Sequence, residues 1–175
     1  HGIRRFDLVG LVVHDDKFDF LPEKFGQFLV GHLDALELEL AAEGREEVTA
    51  AFLESTGATA RVFVPDDLGA LPASCSSGPD AVVICPCSMS SAANIALGTS
   101  RTLMHRAADV ALKEGRRLVL VPRETPLTRI HLRRLLELAE AGAVVLPAAP
   151  GLYTRPSSVQ DAVDHITGKI MDSLG

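Results

Sequence analysis

Residues Ala81–Pro126 read AVVICPCSMSSAANIALGTSRTLMHRAADVALKEGRRLVLVPRETP, and their order predicts strand, turn, helix, second helix, strand and charged loop. Ala81–Cys85 is a short apolar run rich in β-branched residues, the composition of a parallel strand covered on both faces. It is expected to end at Pro86. Cys87-Ser88-Met89-Ser90-Ser91 then opens a helix, with Ser88 as N-cap and Ser90 and Ser91 in the first turn. Backbone N–H groups and small hydroxyls converge at such a turn, which suits an anion or a polar ring edge; plain capping accounts for the same serines. Cys85 and Cys87 lie one residue apart with no second pair elsewhere. That makes a poor zinc site, and small residues filling a strand end is the simpler reading.

The second half of the stretch carries more chemistry. Leu103, Met104, Ala107, Ala108 and Ala111 recur at helical spacing and predict a buried face. Arg106 and Lys113, seven apart, share one side of that helix with Asp109 between them; surface ion pairs alone explain this pattern. Leu118–Val121 is a second apolar strand, and it runs into Pro122-Arg123-Glu124-Thr125-Pro126. A charged pair held between two prolines past a buried strand lies at a carboxyl end, where open α/β sheets bind ligands.

The chain around this stretch has 175 residues, 47% of them apolar, enough for one domain with a sizeable core. A net charge of −6, one Tyr and no Trp argue against general nucleic-acid binding, which needs a basic surface. Three cysteines without framework spacing suit a reducing compartment. No apolar run approaches the roughly 18 residues of a membrane span, and no signal-peptide pattern is legible. The first residue is His1 rather than Met, which leaves room for residues ahead of it. The expectation is a soluble cytoplasmic protein that binds neither nucleic acid nor membrane.

In order, Phe6–Val13 predicts a strand followed by the polar turn His14-Asp15-Asp16-Lys17. Pro22–Ala42 predicts a helix with Phe25, Phe28, Leu29, Leu33, Leu36 and Leu40 on one face, although Leu36–Leu40 also alternates at period two and suits a strand. Glu46–Ser55 predicts a short helix, Ala60–Val64 a strand and Asp66–Pro79 a long loop. Leu127–Ala141 predicts a helix with Pro126 near its first position and Gly142 past its end. Ala143–Leu146 predicts a strand, and Pro147–Pro156 a loop holding the only tyrosine, Tyr153. Ser157 with Gln160 predicts a capping box for a terminal helix buried through Val159, Ala162, Val163, Ile166, Ile170 and Leu174. Lys169 lies off that face. Strands alternating with helices predict a single-domain, doubly wound α/β fold of Rossmann or flavodoxin type, with a mostly parallel sheet.

Together, CPCSMSSAANIALG, RAADVALKEGRRLVLVPRETPL and HLRRLLELAEAGAVVLPAAPGLYTRPSSVQDAVDHITGKIMDSLG resemble the UbiX-type flavin prenyltransferases, whose wider family includes flavin-dependent cysteine decarboxylases. The resemblance covers residues 65–175; residues 1–64 diverge. It implies reduced FMN as prenyl acceptor, dimethylallyl phosphate as donor, no metal, and a product passed to a UbiD-type decarboxylase. It also implies a homododecamer with sites at subunit contacts.

By the same resemblance Ser88, Met89, Ser90 and Ser91 lie along the flavin, and Arg123 touches cofactor and phosphate. Glu124 handles a proton, with Lys113 also catalytic. Arg106, Lys113, Arg123, Tyr153 and Lys169 hold the prenyl phosphate. Several cations and a phenol around an allylic phosphate stabilise the charge that develops as it leaves, and a neighbouring carboxyl suits proton transfer. Two departures stand out. Lys169 occupies an arginine position, which keeps the charge but loses the two-pronged contact. Where the family has a Gly-Ala-Ser-Gly loop for the FMN phosphate, this chain has His14-Asp15-Asp16-Lys17-Phe18-Asp19, whose carboxylates repel a phosphate. Either Phe6–Val13 is the family's first strand with a remodelled turn, or that strand and its loop are absent from this chain. The alternatives are thus a non-catalytic or altered homologue, or an FMN-dependent decarboxylase of the same superfamily.

Overall fold

Val82, Ile84, Leu118, Val119, Leu120 and Val121 are at most 2% exposed. Consecutive buried residues along a strand require a layer of helices on each face of the sheet. The computed structural model describes residues 8–9, 37–41, 59–63, 66–76 and 78–174. The strands are β1 (Leu8–Val9), β2 (Glu37–Ala41), β3 (Thr59–Phe63), β4 (Ala81–Cys87), β5 (Arg117–Pro122) and β6 (Val144–Val145). The described helices are α1 (Met89–Ala96), α2 (Leu103–Lys113), α3 (Arg129–Glu140) and α4 (Val159–Leu174). Sheet order is β3-β2-β1-β4-β5-β6 with every pairing parallel. The doubly wound expectation holds. The order reverses between β1 and β4, so the crevice for a ligand falls at the carboxyl ends of these strands.

One face of the sheet, through Val82, Ile84, Leu118 and Leu120, packs with Ala92, Ile95, Met104, Ala107, Ala108, Leu135 and Leu138 of α1, α2 and α3. Strand alternation turns Val119 and Val121 to the opposite face. There α4 packs against β5 and buries Val163, Ile166 and Ile170. Three helices close the same way: Gly98, Gly115 and Gly142 each follow a helix with positive φ, the left-handed turn that glycine adopts without a Cβ penalty. Among the described residues, no helix is long and apolar enough to cross a membrane.

Four boundaries differ from the sequence expectations. Residues 37–41 form a strand rather than the end of a helix, so the period-two alternation governs there. Their register, Leu38 opposite both Leu8 and Ala60, sets them between β1 and β3. Pro86 does not end β4: the ladder to β5 shifts between Ile84 and Cys87 and resumes with Cys87 opposite Pro122. A proline has no N–H to donate, and such irregularities tolerate it.

The third difference is α3, which begins at Arg129 because Thr128 caps it. Thr128 Oγ1 accepts the His131 N–H at 3.2 Å and His131 Nδ1 accepts the Thr128 N–H at 3.3 Å. Pro126 therefore lies ahead of the cap rather than in the first turn. The fourth is the start of α4, where Asp161 rather than Gln160 closes the box. Ser158 Oγ accepts the Asp161 N–H at 3.1 Å, and the Asp161 carboxylate accepts both hydroxyls and both amides of Ser157 and Ser158. Those bonds favour the ionised carboxyl and hold it at about 2 against an ordinary 3.8. Gln160 instead donates to Asp164. The rest of the helix expected over residues 22–42, the helix expected over 46–55, the rest of the first strand and the turn expected at residues 14–19 lie outside the described residues.

Candidate functional site

The carboxyl end of β4 leads directly into α1. Ser88 is its N-cap: Ser88 Oγ accepts the Ser91 N–H at 3.0 Å and donates to Ser91 Oγ at 3.1 Å. The Ser91 hydroxyl is thereby used inside the turn, and the residue is buried. Ser88 and Ser90 are exposed and Met89 half-buried. In helix geometry the first amides, here of Met89 and Ser90, have no intrahelical acceptor. Capping and outward presentation thus coexist, on different serines.

Directly beneath this turn Cys85 and Cys87 are buried, 6% and 1% exposed. Burial pushes both thiols up to about 12, helped at Cys85 by the neighbouring Cys87. At pH 8 a thiol with that value is about one part in ten thousand thiolate, and the thiolate is the reactive form. Cys75 is only half-buried. Native protein is therefore expected to give one reactive thiol per chain with a disulfide reagent, and all three only after denaturation. Fast reaction of a second thiol in native protein would contradict the buried placement. Among the described residues no group of three His, Cys, Asp or Glu side chains is arranged to hold a metal.

At the carboxyl end of β5, Arg123 and Glu124 are exposed. The Thr125 N–H donates to Glu124 Oε1 at 3.0 Å, which orients the carboxylate. The Ala148 N–H donates to Pro122 O at 2.9 Å, and so the loop after β6 rises along the same edge. It ends in a 3-10 turn, Leu152–Thr154, that presents Tyr153 at 85% exposure. Ser88, Ser90, Arg123, Glu124 and the Tyr153 turn thus belong to one end of the sheet.

Lys113 does not. It closes α2, just before β5 begins, and its Nζ lies 3.2 Å from Cys75 Sγ and 3.3 Å from Glu114 Oε1. The Cys75 thiol, then Glu114, raise its pKa. Arg116 donates to the Cys75 and Ser74 carbonyls of the same loop, which precedes β4. Lys113 is therefore at the amino edge. The six residues of β5 separate it from Arg123 by about 20 Å at 3.3 Å per residue.

Arg106, earlier on α2, pairs with Asp109 at 2.7 Å. Lys169 pairs with Asp172 at 3.1 Å, and its side chain is 59% exposed. Ten residues into α4, it is about 15 Å along the helix from Val159. The sequence reading grouped these cations by chemistry; within one chain Lys113 and Lys169 are held away from Arg123 by ion pairs and contacts of their own. It also passed over Cys75, beside Lys113, and over Gly151 and His165, which flank Tyr153. A glycine two residues before the only tyrosine was the available signal.

A parallel sheet that reverses order beside an open, serine-lined helix start defines a flavodoxin-like α/β protein. The sequence matches the Flavoprotein family over residues 42–172. It is 46% identical over 179 aligned residues to a flavin prenyltransferase UbiX of Pseudomonas aeruginosa, covering all of this chain and 83% of that one. A flavin prenyltransferase UbiX of Synechocystis is 52% identical over 62% of this chain and 52% of its own length. Among solved structures, AnUbiX (PadA1) in complex with FMN and dimethylallyl pyrophosphate superposes with a TM-score of 0.81 at 33% identity, over 98% of this chain and 93% of that one. A dodecameric FMN-dependent UbiX-like decarboxylase from Escherichia coli O157:H7 gives 0.80 at 34% identity, over 96% and 93%. The chain belongs to the Flavoprotein family, among its UbiX-type flavin prenyltransferases. The relation reaches upstream of residue 65, since the Pseudomonas alignment spans the whole chain.

Proposed function

We propose that this chain transfers a dimethylallyl group from dimethylallyl phosphate to N5 and C6 of reduced FMN, making prenylated FMN for a UbiD-type decarboxylase in the cytoplasm. The observation that carries the reading is the identity to Pseudomonas UbiX over the entire chain, with the RETP segment standing at the carboxyl edge beside the start of α1. The residues present fit the ring end of a flavin: exposed Ser88 and Ser90, half-buried Met89 and two helix-start amides offer hydrogen bonds to a polar ring edge without crowding it. FMN bound there supplies N5 and C6 as the acceptor atoms. Arg123 lies next to that turn, where its fixed charge can meet flavin and phosphate oxygens. Glu124, oriented by the Thr125 amide, takes up the proton lost from the acceptor.

The remaining cations complete the site only if another copy brings them. Lys113 and Lys169 sit away from the carboxyl edge, so the phosphate cluster is assembled from more than one chain. The outer side of α3 supports such an assembly: Leu132 and Leu136, one turn apart on it, are 53% and 58% exposed, an apolar pair suited to a contact between copies. We assign a dodecamer as its form.

The test is anaerobic incubation of the purified protein with reduced FMN and dimethylallyl phosphate. The expected result is a flavin heavier by one prenyl unit, with phosphate released in equal amount. Protein that binds no FMN would overturn the reading and favour the altered homologue suggested by the acidic sequence at residues 14–19. Bound FMN with no prenylated product would equally overturn it.

A further inference from the structure

Tyr153 is 85% exposed, yet its ring is held on two sides. The turn beneath it is tied by Gly151 O, which accepts the Thr154 N–H at 3.1 Å and the Thr154 hydroxyl at 2.8 Å. Arg155 then takes φ 53°, with its N–H donating to Leu152 O at 3.0 Å. It is the sole non-glycine residue with positive φ among those described. The ring folds back over Gly151: a Cβ there would lie 2.6 Å from Tyr153 Cε1 and 3.1 Å from Cζ. On the other side stands His165, half-buried on α4, with ring centroids 6.5 Å apart and planes at 90°. That distance and angle are those of a favourable edge-to-face pair.

We propose that Gly151 and His165 form a seat for the Tyr153 ring, and that His165 is a positioning residue for donor binding. An exposed phenol on a loose side chain loses rotamer freedom when it meets a ligand, whereas a seated one has lost it beforehand. The seat leaves the outer side of the ring open to whatever it meets. The role of His165 toward the donor rests on the reading of Tyr153 as a phosphate-holding residue. The seat itself does not.

The chain supplies its own probe. Tyr153 is its only tyrosine and it has no tryptophan, so the anisotropy decay of tyrosine emission reports this ring alone. The comparison uses assembled protein of matched FMN content, as wild type and as His165→Ala, His165→Phe and Gly151→Ala. Wild type and His165→Phe are expected to lack a sub-nanosecond component, because a second aromatic ring replaces the imidazole edge. His165→Ala is expected to gain one through loss of the contact. In Gly151→Ala the new methyl displaces the side chain rather than the backbone, and the same component appears.

The KM for dimethylallyl phosphate should rise about two- to tenfold in His165→Ala, with kcat little changed and His165→Phe restoring it. A wild-type decay in both alanine variants overturns the seat. A loosened ring with unchanged KM overturns the positioning role. Wild-type protein without turnover overturns the prenyltransferase reading, and with it the positioning role, while the anisotropy still decides the seat.

Discussion

Lys113→Met and Arg123→Leu chains are each expected to be inactive alone, yet their 1:1 mixed assembly should recover about a quarter of wild-type turnover. The reason is the length of β5. Lys113 precedes its amino end, beside Cys75, and Arg123 follows its carboxyl end. Both can serve one phosphate only if they come from different copies. Random assortment then leaves about one site in four with an intact lysine from one chain and an intact arginine from another. Co-expression with two affinity tags and sequential purification yields the mixed particles, and phosphate release measures them. Particles as inactive as the two parents would refute the shared site. Each single loss should be large, since removing a charge that meets a leaving dianion costs on the order of a hundredfold or more in rate.

Glu124→Gln should retain FMN and bind donor with near-normal KM while kcat falls about a hundred- to ten-thousandfold, the usual span for loss of a positioned general acid–base group. The Thr125 amide that now donates to Glu124 Oε1 at 3.0 Å can donate equally to the Gln carbonyl, so the loop geometry survives and the defect is confined to the proton. Glu124→Asp, shorter by one methylene, should recover part of the rate. Stopped-flow single turnovers separate the chemical step from release. A raised KM with intact kcat would make Glu124 a binding group instead.

What the sequence made legible follows local rules. The β4–α1 junction, the N-cap at Ser88 and the apolar face of α2 were readable because each depends on neighbours within a few residues. Residues 37–41 carried two periodicities at once, and pairing with β1 and β3 rather than local preference decided between them. Pro86 looked like a terminator since proline usually is; the partner strand absorbs it through a shifted register. Thr128 and Asp161 were passed over because each competes with an equally good nearby residue, and only the hydrogen bonds choose. The candidate site was legible as a set of residue types but not as a place. Lys113 and Arg123 are ten residues apart in sequence, and the strand between them carries them to opposite ends of the sheet. Distances of that kind come from topology, not composition.

The strand order has a bearing on synthesis. Leu8 of β1 is paired on one side with Leu38 and on the other with Ala81, so β1, one of the two central strands of the sheet, acquires its second partner only when Ala81 and Val82 have left the ribosome. Until then the nascent chain carries an unpaired edge at what will become the centre of the molecule. Holding factors that shelter such edges have their window of action between the emergence of Leu8 and that of Val82.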